Sequence, residues 1–274
     1  MTKRASQALT LLYLNVCGGQ WFEELMAYIC QVAGHVDVFC LQEVLDTPTD
    51  KTWNDERING RFYGQRTDLL RQLKLALPDY QPLFAWYSRL STVDFPLYIG
   101  NATFVRTGNA VADILESGDK MVYGSRDSMV GEDIESLPRS VQYTVLKLKG
   151  NKELTVFNFH GAWQRVGKKD TQKRLSQFRA LQAVVESFHG PKVLGGDFNT
   201  FPTSKSSRLL EEAGMANLVR ENGIVSTKSP LYERAAQNGS HADNIFVSGI
   251  QVVEFEVPEV VASDHLPLVL RLSV

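Results

Sequence analysis

Asp197 and Asn199, in the run Val193-Leu194-Gly195-Gly196-Asp197-Phe198-Asn199-Thr200-Phe201-Pro202, set a carboxylate two residues before a carboxamide. Side chains alternate along extended backbone, so at the carboxyl end of a strand both point to the same side. One can take a proton while the other holds an oxygen. Gly, Asp and Asn also dominate ordinary turns, and the stretch alone reads as a turn just as well as a site. Its company shifts the balance. Asn15 follows Leu11-Leu12-Tyr13-Leu14, Glu43 closes the run from Val38 to Gln42, and His160 closes the run from Leu154 to Phe159. Asp243 precedes Ile245-Phe246-Val247, and Asp264-His265 precedes the run from Leu266 to Leu270. Polar groups thus stand at the edges of six strand-like runs.

The elements that must position these groups follow from periodicity. Residues 8 to 16 alternate as a buried strand, and Gly18-Gly19 makes a turn. Trp21, Phe22, Leu25, Met26, Ile29 and Val32 then recur at helical spacing before a strand at Val36 to Leu41, which gives a βαβ-like start. A helix is expected near Thr67 to Ala76, and strands at Tyr80 to Tyr87 and Leu97 to Val105. Residues 106 to 139, broken by Gly108, Gly118, Gly124 and Gly131, read as hairpins or a substrate-facing flap. Val141 to Lys149 and Lys152 to Phe159 form a hairpin about Gly150-Asn151. A helix from about Asp170 to Phe188 turns Leu175, Phe178, Leu181 and Val185 to the core. Another helix spans Ser204 to Ala213, the stretch from Gly223 to Ser240 is irregular, and the last strands occupy residues 250 to 257 and 266 to 273.

Composition bounds the rest. The chain has 274 residues, is 43% hydrophobic and carries a net charge of -2, which suits one large core. No linker, repeat or low-complexity tract divides it, so residues 1–274 are expected to form one domain. Cys17, Cys30 and Cys40 are odd in number and read as reduced core thiols. With no signal-like or membrane-length apolar stretch, a cytoplasmic location and no membrane partner are expected, and oligomeric state is open.

The ordered series Leu-Asn-Val, Leu-Gln-Glu, Gly-Asn-Ala, Asn-Phe-His, Gly-Asp-Phe-Asn, Ala-Asp-Asn-Ile-Phe and Ser-Asp-His-Leu-Pro spans residues 15 to 267. In it the chain resembles the endonuclease/exonuclease/phosphatase superfamily, which includes deoxyribonuclease I, exonuclease III and inositol polyphosphate 5-phosphatases. The resemblance implies an α/β fold, a four-layer sandwich of two mainly antiparallel β-sheets packed face to face with helices outside. It also implies metal-dependent hydrolysis of a phosphate ester. Glu43 would bind Mg2+, or Mn2+ as a substitute, with Asp264 as a second metal-associated carboxylate and Asn15 in support. Asp197 would orient or deprotonate water, and Asn199 would hold that water or a phosphoryl oxygen. His160 and His265, the latter paired with Asp243, would stabilise developing charge, and Asn101 would face the substrate phosphate. Where the exonuclease III branch has an Asp two residues after the matching Asn, this chain has Cys17.

The substrate is named by neighbouring residues. Arg165, Lys168, Lys169, Lys173 and Arg174 follow His160 closely and would concentrate an anion at the cleft, with Arg174 the candidate to reach back to the phosphate. Between Asp46 and Gly64, Trp53 and Tyr63 interleave with Arg57 and Arg61, a mixture that suits stacking bases and holding phosphates. It equally suits a surface loop packed by one Trp, exposure of Trp53 being what separates the two. The expected partner is therefore nucleic acid. The alternatives are a small-molecule or lipid-headgroup phosphoesterase, and a catalytically silent binding module that keeps the fold.

Overall fold

Alternating apolar residues make strands that can bury one face, and two such faces laid together make a core. The computed structural model describes residues 8–49, 65–90, 95–126, 133–233 and 239–274. The Trp53-containing loop lies outside them. In chain order the strands are β1 (Ala8–Asn15), β2 (Val38–Asp46), β3 (Gln81–Leu90), β4 (Leu97–Val105), β5 (Val111–Tyr123), β6 (Arg139–Leu148), β7 (Glu153–His160), β8 (Lys192–Asp197), β9 (Ala216–Asn217), β10 (Asp243–Ser248), β11 (Val252–Glu256) and β12 (Leu268–Ser273). The helices are α1 (Phe22–Val32), α2 (Leu69–Ala76), α3 (Gln172–Glu186), α4 (Lys205–Glu212) and the single turn α5 (Leu218–Glu221). One sheet has the order β11-β12-β1-β2-β4-β3 and the other β5-β6-β7-β8-β10-β9.

Each sheet is antiparallel except for one pair, β1 with β2 and β7 with β8. Parallel neighbours need a crossover. Helix α1 supplies it in one sheet and α3 in the other. The expected sandwich of two mainly antiparallel sheets is therefore present, and the chain start is the expected βαβ unit. The hairpin about Gly150-Asn151 is present too, with both residues at positive φ.

Three apolar layers hold the sandwich. Leu9, Leu11, Tyr13, Val38 and Cys40 of the first sheet meet Leu146, Leu154, Val156, Val193 and Ile245 of the second at the centre. Leu25, Ile29, Leu69 and Leu73 of α1 and α2 pack on Leu12, Leu14, Phe39 and Leu41 on one outer face. Phe178 and Leu181 of α3, with Leu210 of α4, pack on Phe157, Phe159 and Phe246 on the other. Each fully buried Leu or Phe contributes about 1.5–3 kcal/mol relative to exposure, before chain entropy is counted.

A polar seam crosses the intersheet layer. Asn158 receives 2.7 Å from Gln42 Nε2 at its Oδ1, and its Nδ2 donates to the carbonyls of Leu41 and Ala102, each at 3.2 Å. Asn101 belongs to this seam. It is wholly buried on β4 and donates to Asn158 O at 3.1 Å. The expectation that it faces the substrate phosphate is thus corrected: in a strand paired on both sides, alternation turned its side chain between the sheets.

Residues 106–139 differ from a set of hairpins. Val111–Tyr123 form the long edge strand β5, whose antiparallel pairing with β6 shifts register at three places, and a 3-10 turn, Ile134–Ser136, leads back to the cleft. The cysteines also differ from the expected core thiols. Cys40 is buried, Cys30 is exposed on α1 and Cys17 is partly buried at the cleft, and all are free.

Candidate active site

The two parallel pairs end on the same side of the molecule, and their carboxyl ends carry Asn15, Glu43, His160 and Asp197. Cross-strand register aligns His160 with Asp197 and Asp197 with Asp243, so three neighbouring strands deliver three functional groups in a row. Asp264 and His265 arrive on the turn before β12. Gly196 lets β8 approach its neighbour: a Cβ there would lie 2.1 Å from Phe159 O, at a φ of +132°.

Among the described residues, four non-glycine residues have positive φ. Asn151 is in a hairpin turn, but Cys17, Glu43 and Asn199 stand at the site. Left-handed backbone costs a non-glycine residue roughly 1–2 kcal/mol, and such strain gathers where it aims a functional group. Glu43 takes it within a bulge of β2, where pairing with β4 shifts between Leu41 and Val44, and this turns its carboxylate into the cleft.

Asp197 is the hub. Its Oδ2 accepts from Asn15 Nδ2 at 3.0 Å and its Oδ1 from Asn199 N at 2.8 Å. His265 Nε2 lies 3.6 Å and His160 Nε2 3.7 Å from Oδ2. Burial alone would raise its pKa, but His265, Lys228 and the Asn199 amide outweigh burial and hold the carboxyl well below the usual range. It is an anion at neutral pH.

His160 is neutral. Burial, aided by Arg139, pushes its pKa down to about 3. Its Nδ1 lies 3.0 Å from the Tyr87 hydroxyl, and with the carboxylates of Glu43 and Asp197 beside its Nε2, Nδ1 is the nitrogen left to accept from that hydroxyl. That places the imidazole proton on Nε2, which points toward Glu43 Oε1 at 3.6 Å and Asp197. Asn199 Nδ2 lies 3.5 Å from the same Nε2. Two N–H donors therefore stand side by side next to two carboxylates. Replacing Tyr87 with Phe releases the tautomer: kcat should fall roughly tenfold, as for other groups that orient a site residue. Steady-state kinetics with a thermal melt checks this, and a loss confined to stability would refute it.

His265 Nδ1 meets Asp243 Oδ1 at 2.8 Å and Oδ2 at 2.9 Å. Burial lowers the imidazole pKa, yet Asp243, Asp264 and Asp197 together more than offset it and the net shift is upward. Lys228 Nζ donates to His265 Nε2 and lies 3.6 Å from Asp264 Oδ2. Burial works against its charge, but Asp264, Asp197 and Asp243 keep the ammonium above its ordinary pKa. The same neighbours, His265 and Lys228, hold Asp264 below the usual carboxylate range despite burial.

Glu43 is the exception among the acids. Burial raises its pKa, Asn15 lowers it through a 2.9 Å bond, and Asp264 and Asp197 raise it again by like charge. Three carboxylates converge here with too little positive charge around Glu43, which is the environment a dication relieves. Hard oxygens of Glu43, Asp197 and Asp264 suit Mg2+ or Mn2+. Ligand atoms of Glu43, His160 and Asp197 lie within 4.8 Å of one another, as do those of Asp197, Asp243 and His265. The donor set fits the expected ion. Asn15 enters it only indirectly: its Oδ1 accepts from Cys17 N at 2.9 Å, so its NH2 faces the carboxylates and bridges Glu43 to Asp197.

Arg174 does not reach the cleft. It is 1% exposed and donates to the carbonyls of Lys169, Ala162 and Gly167, beneath the loop that follows β7. The other expected basic residues are partly engaged as well, Arg165 with Asp133 at 3.1 Å and Lys173 with Glu135 O at 2.6 Å. Residues that the sequence did not reveal are Tyr87, Arg139, Lys228 and Tyr232. The cleft that Arg139, Lys228 and Tyr232 help to line encloses about 400 Å3, walled by Trp21, Trp163, Leu231 and Tyr232. Lys228 falls in the stretch from Gly223 to Ser240 that reads only as irregular, where no spacing or periodicity singles it out.

A two-sheet sandwich with carboxylates and imidazoles gathered at the strand ends has the groups that hydrolysis of a phosphate ester requires. Residues 12–265 match the Endonuclease/Exonuclease/phosphatase family, and the chain belongs to it. A UPF0294 protein of Vibrio cholerae serotype O1 is 31% identical over 135 residues, 49% of this chain and 45% of the relative. The chain spans about half the length of the curated relatives it matches. A mannosyl-6-phosphatase of Bacteroides thetaiotaomicron has a TM-score of 0.69 at 21% identity, covering 97% of this chain and 100% of the other. The human Nocturnin catalytic domain with bound sulfate has a TM-score of 0.61 at 18% identity, covering 97% and 93%. These likenesses show the fold. Among the described residues, no helix is long and apolar enough to cross a membrane.

Proposed function

We propose that the chain hydrolyses a compact phosphate ester with the help of Mg2+, seating the phosphate over Asp197 and the organic group between the aromatic walls of the cleft. The observation that carries this is the convergence of His160 Nε2–H, Asn199 Nδ2 and the Lys228–His265 pair on the space above Asp197 and Glu43. Glu43 and Asp264 would hold the ion, which when bound polarises a phosphoryl oxygen and neutralises charge. Asp197 accepts or steers the proton of the attacking water. His160 and Asn199 hold a non-bridging oxygen, and His265, fixed by Asp243, faces the oxygen on which charge develops.

A compact substrate is favoured over nucleic acid by how the basic run is engaged: Arg174 ties down a loop, and Arg165 and Lys173 pair with the segment around Asp133. Trp21 and Trp163 at the cleft favour a second reading, a stacked base and hence a nucleotide chain end.

The test is cleavage of bis-p-nitrophenyl phosphate, p-nitrophenyl phosphate and single- and double-stranded oligonucleotides, each with Mg2+ and with chelator. Turnover of the small esters that chelator abolishes is the expected result. Faster cleavage of oligonucleotides would restore the nucleic-acid reading, and inactivity throughout would favour the binding module. In calorimetry, Glu43→Gln should weaken Mg2+ at least tenfold, and unchanged binding would remove Glu43 from the metal site.

A further inference from the structure

Lys168 is a buried cation that neither fold nor hydrolysis accounts for. It is 6% exposed, yet it lines the cleft. Among the described residues no carboxylate comes within 4.0 Å of its Nζ, whose one hydrogen bond is a long one, 3.4 Å, to Gly239 O. The ammonium instead lies over the Tyr232 ring, 5.4 Å from its centroid. Lys228 lies over the same ring at 4.3 Å. Lys228 has Asp264 at 3.6 Å to offset its charge, whereas Lys168 has a π face, a neighbouring cation and only the more distant charges of Asp197, Asp243 and Asp264. Burying an ammonium that way is unfavourable unless an anion completes it.

The backbone around Lys168 is fixed. Arg174 donates to the carbonyls of Gly167 and Lys169 on either side, and Thr200 Oγ1 donates to Lys168 O at 3.4 Å. Thr171 holds Gln164 of the same loop at 2.9 Å. A chain clamped at consecutive carbonyls presents its side chain in one place, which is how a recognition group is preorganised.

We infer that Lys168, backed by Tyr232, recognises a second anionic group of the substrate, so that the preferred substrate is a small phosphate ester bearing two phosphates or a phosphate and a carboxylate. This rests on the phosphoesterase reading for its scissile phosphate. The second anion sits between Lys168 and Lys228 on the Tyr232 side of the cleft and relieves their mutual repulsion. One consequence is selection against substrates that are neutral beyond the reacting phosphate.

Binding separates this idea from catalysis. Calorimetry compares phenyl phosphate with the bisphosphates of ethane-, propane- and butanediol, whose spacing varies, on the intact protein and on Lys168→Met and Lys168→Arg. At least one bisphosphate should bind ten times more tightly than phenyl phosphate. Lys168→Met should erase that preference, and Lys168→Arg should keep most of it. No preferred bisphosphate, or an equal loss for the bisphosphate and phenyl phosphate in Lys168→Met, would overturn the inference. Lack of hydrolysis of every ester would overturn the phosphoesterase reading while a Lys168-dependent bisphosphate preference still stood.

Discussion

Asp197→Asn should lower kcat by about 10^3-fold, the middle of the range for losing a positioned proton acceptor. The reason lies in what the carboxylate does that an amide cannot. Asp197 is an anion accepting from Asn15 Nδ2 and from the Asn199 amide at once. An Asn there has one oxygen, so its NH2 must face one of those donors, and it neither takes a proton nor balances His265 and Lys228. The fold should survive, because the change is isosteric and the lost hydrogen bond, to a charged acceptor, contributes about 1.5–3 kcal/mol. Steady-state kinetics beside a thermal melt reads both effects. A folded variant working at the wild-type rate would remove Asp197 from the chemistry and reopen the binding-module reading.

Much of this site could be read before the structure because strand ends are visible in sequence. An apolar alternating run that stops at a polar residue places that residue at a sheet edge, and Asn15, His160, Asp197 and Asp243 all follow this rule. What could not be read depends on partners far along the chain. Tyr87 is an unremarkable strand residue until His160, 73 positions later, settles against its hydroxyl. Lys228 lies in an irregular stretch and finds its role only because residues 226–229 run beside Asp264-His265-Leu266, with Leu266 N donating to Thr227 O at 2.9 Å. Glu43 was legible as a carboxylate after a strand, but not its left-handed backbone, since no glycine marks the bulge that turns it inward. Asn101 failed in the opposite way. Its motif was visible, but the face of β4 that it occupies was decided by pairing with β2 and β3.

Arg174 was recognised as a residue with a special task, but its task is architectural, and its loss should have the largest effect on stability. The guanidinium is buried, with its pKa lowered to about 10 by burial against the pull of Asp170 and Asp197, so it stays charged at neutral pH. Among the described residues no carboxylate pairs with it; three carbonyls, of Ala162, Gly167 and Lys169, take its protons. Arg174→Met fills the space with apolar atoms and leaves those carbonyls unpaired beneath the loop. At about 1.5–3 kcal/mol for each bond from a charged donor, offset by the relieved burial of the charge, a net loss on the order of 3 kcal/mol is expected. For a chain of this size that is roughly a 5 °C fall in Tm. Arg174→Lys should recover only part of it, because one ammonium cannot reproduce a planar fork that spans three acceptors. The loop carries Trp163 and Lys168 into the cleft, so the bisphosphate preference should be lost with the clamp even below the melting transition. Thermal unfolding and calorimetry on the same variant test the two effects together. A variant that melts early yet keeps the preference would show that Lys168 is held in place by Thr200 and Tyr232 alone.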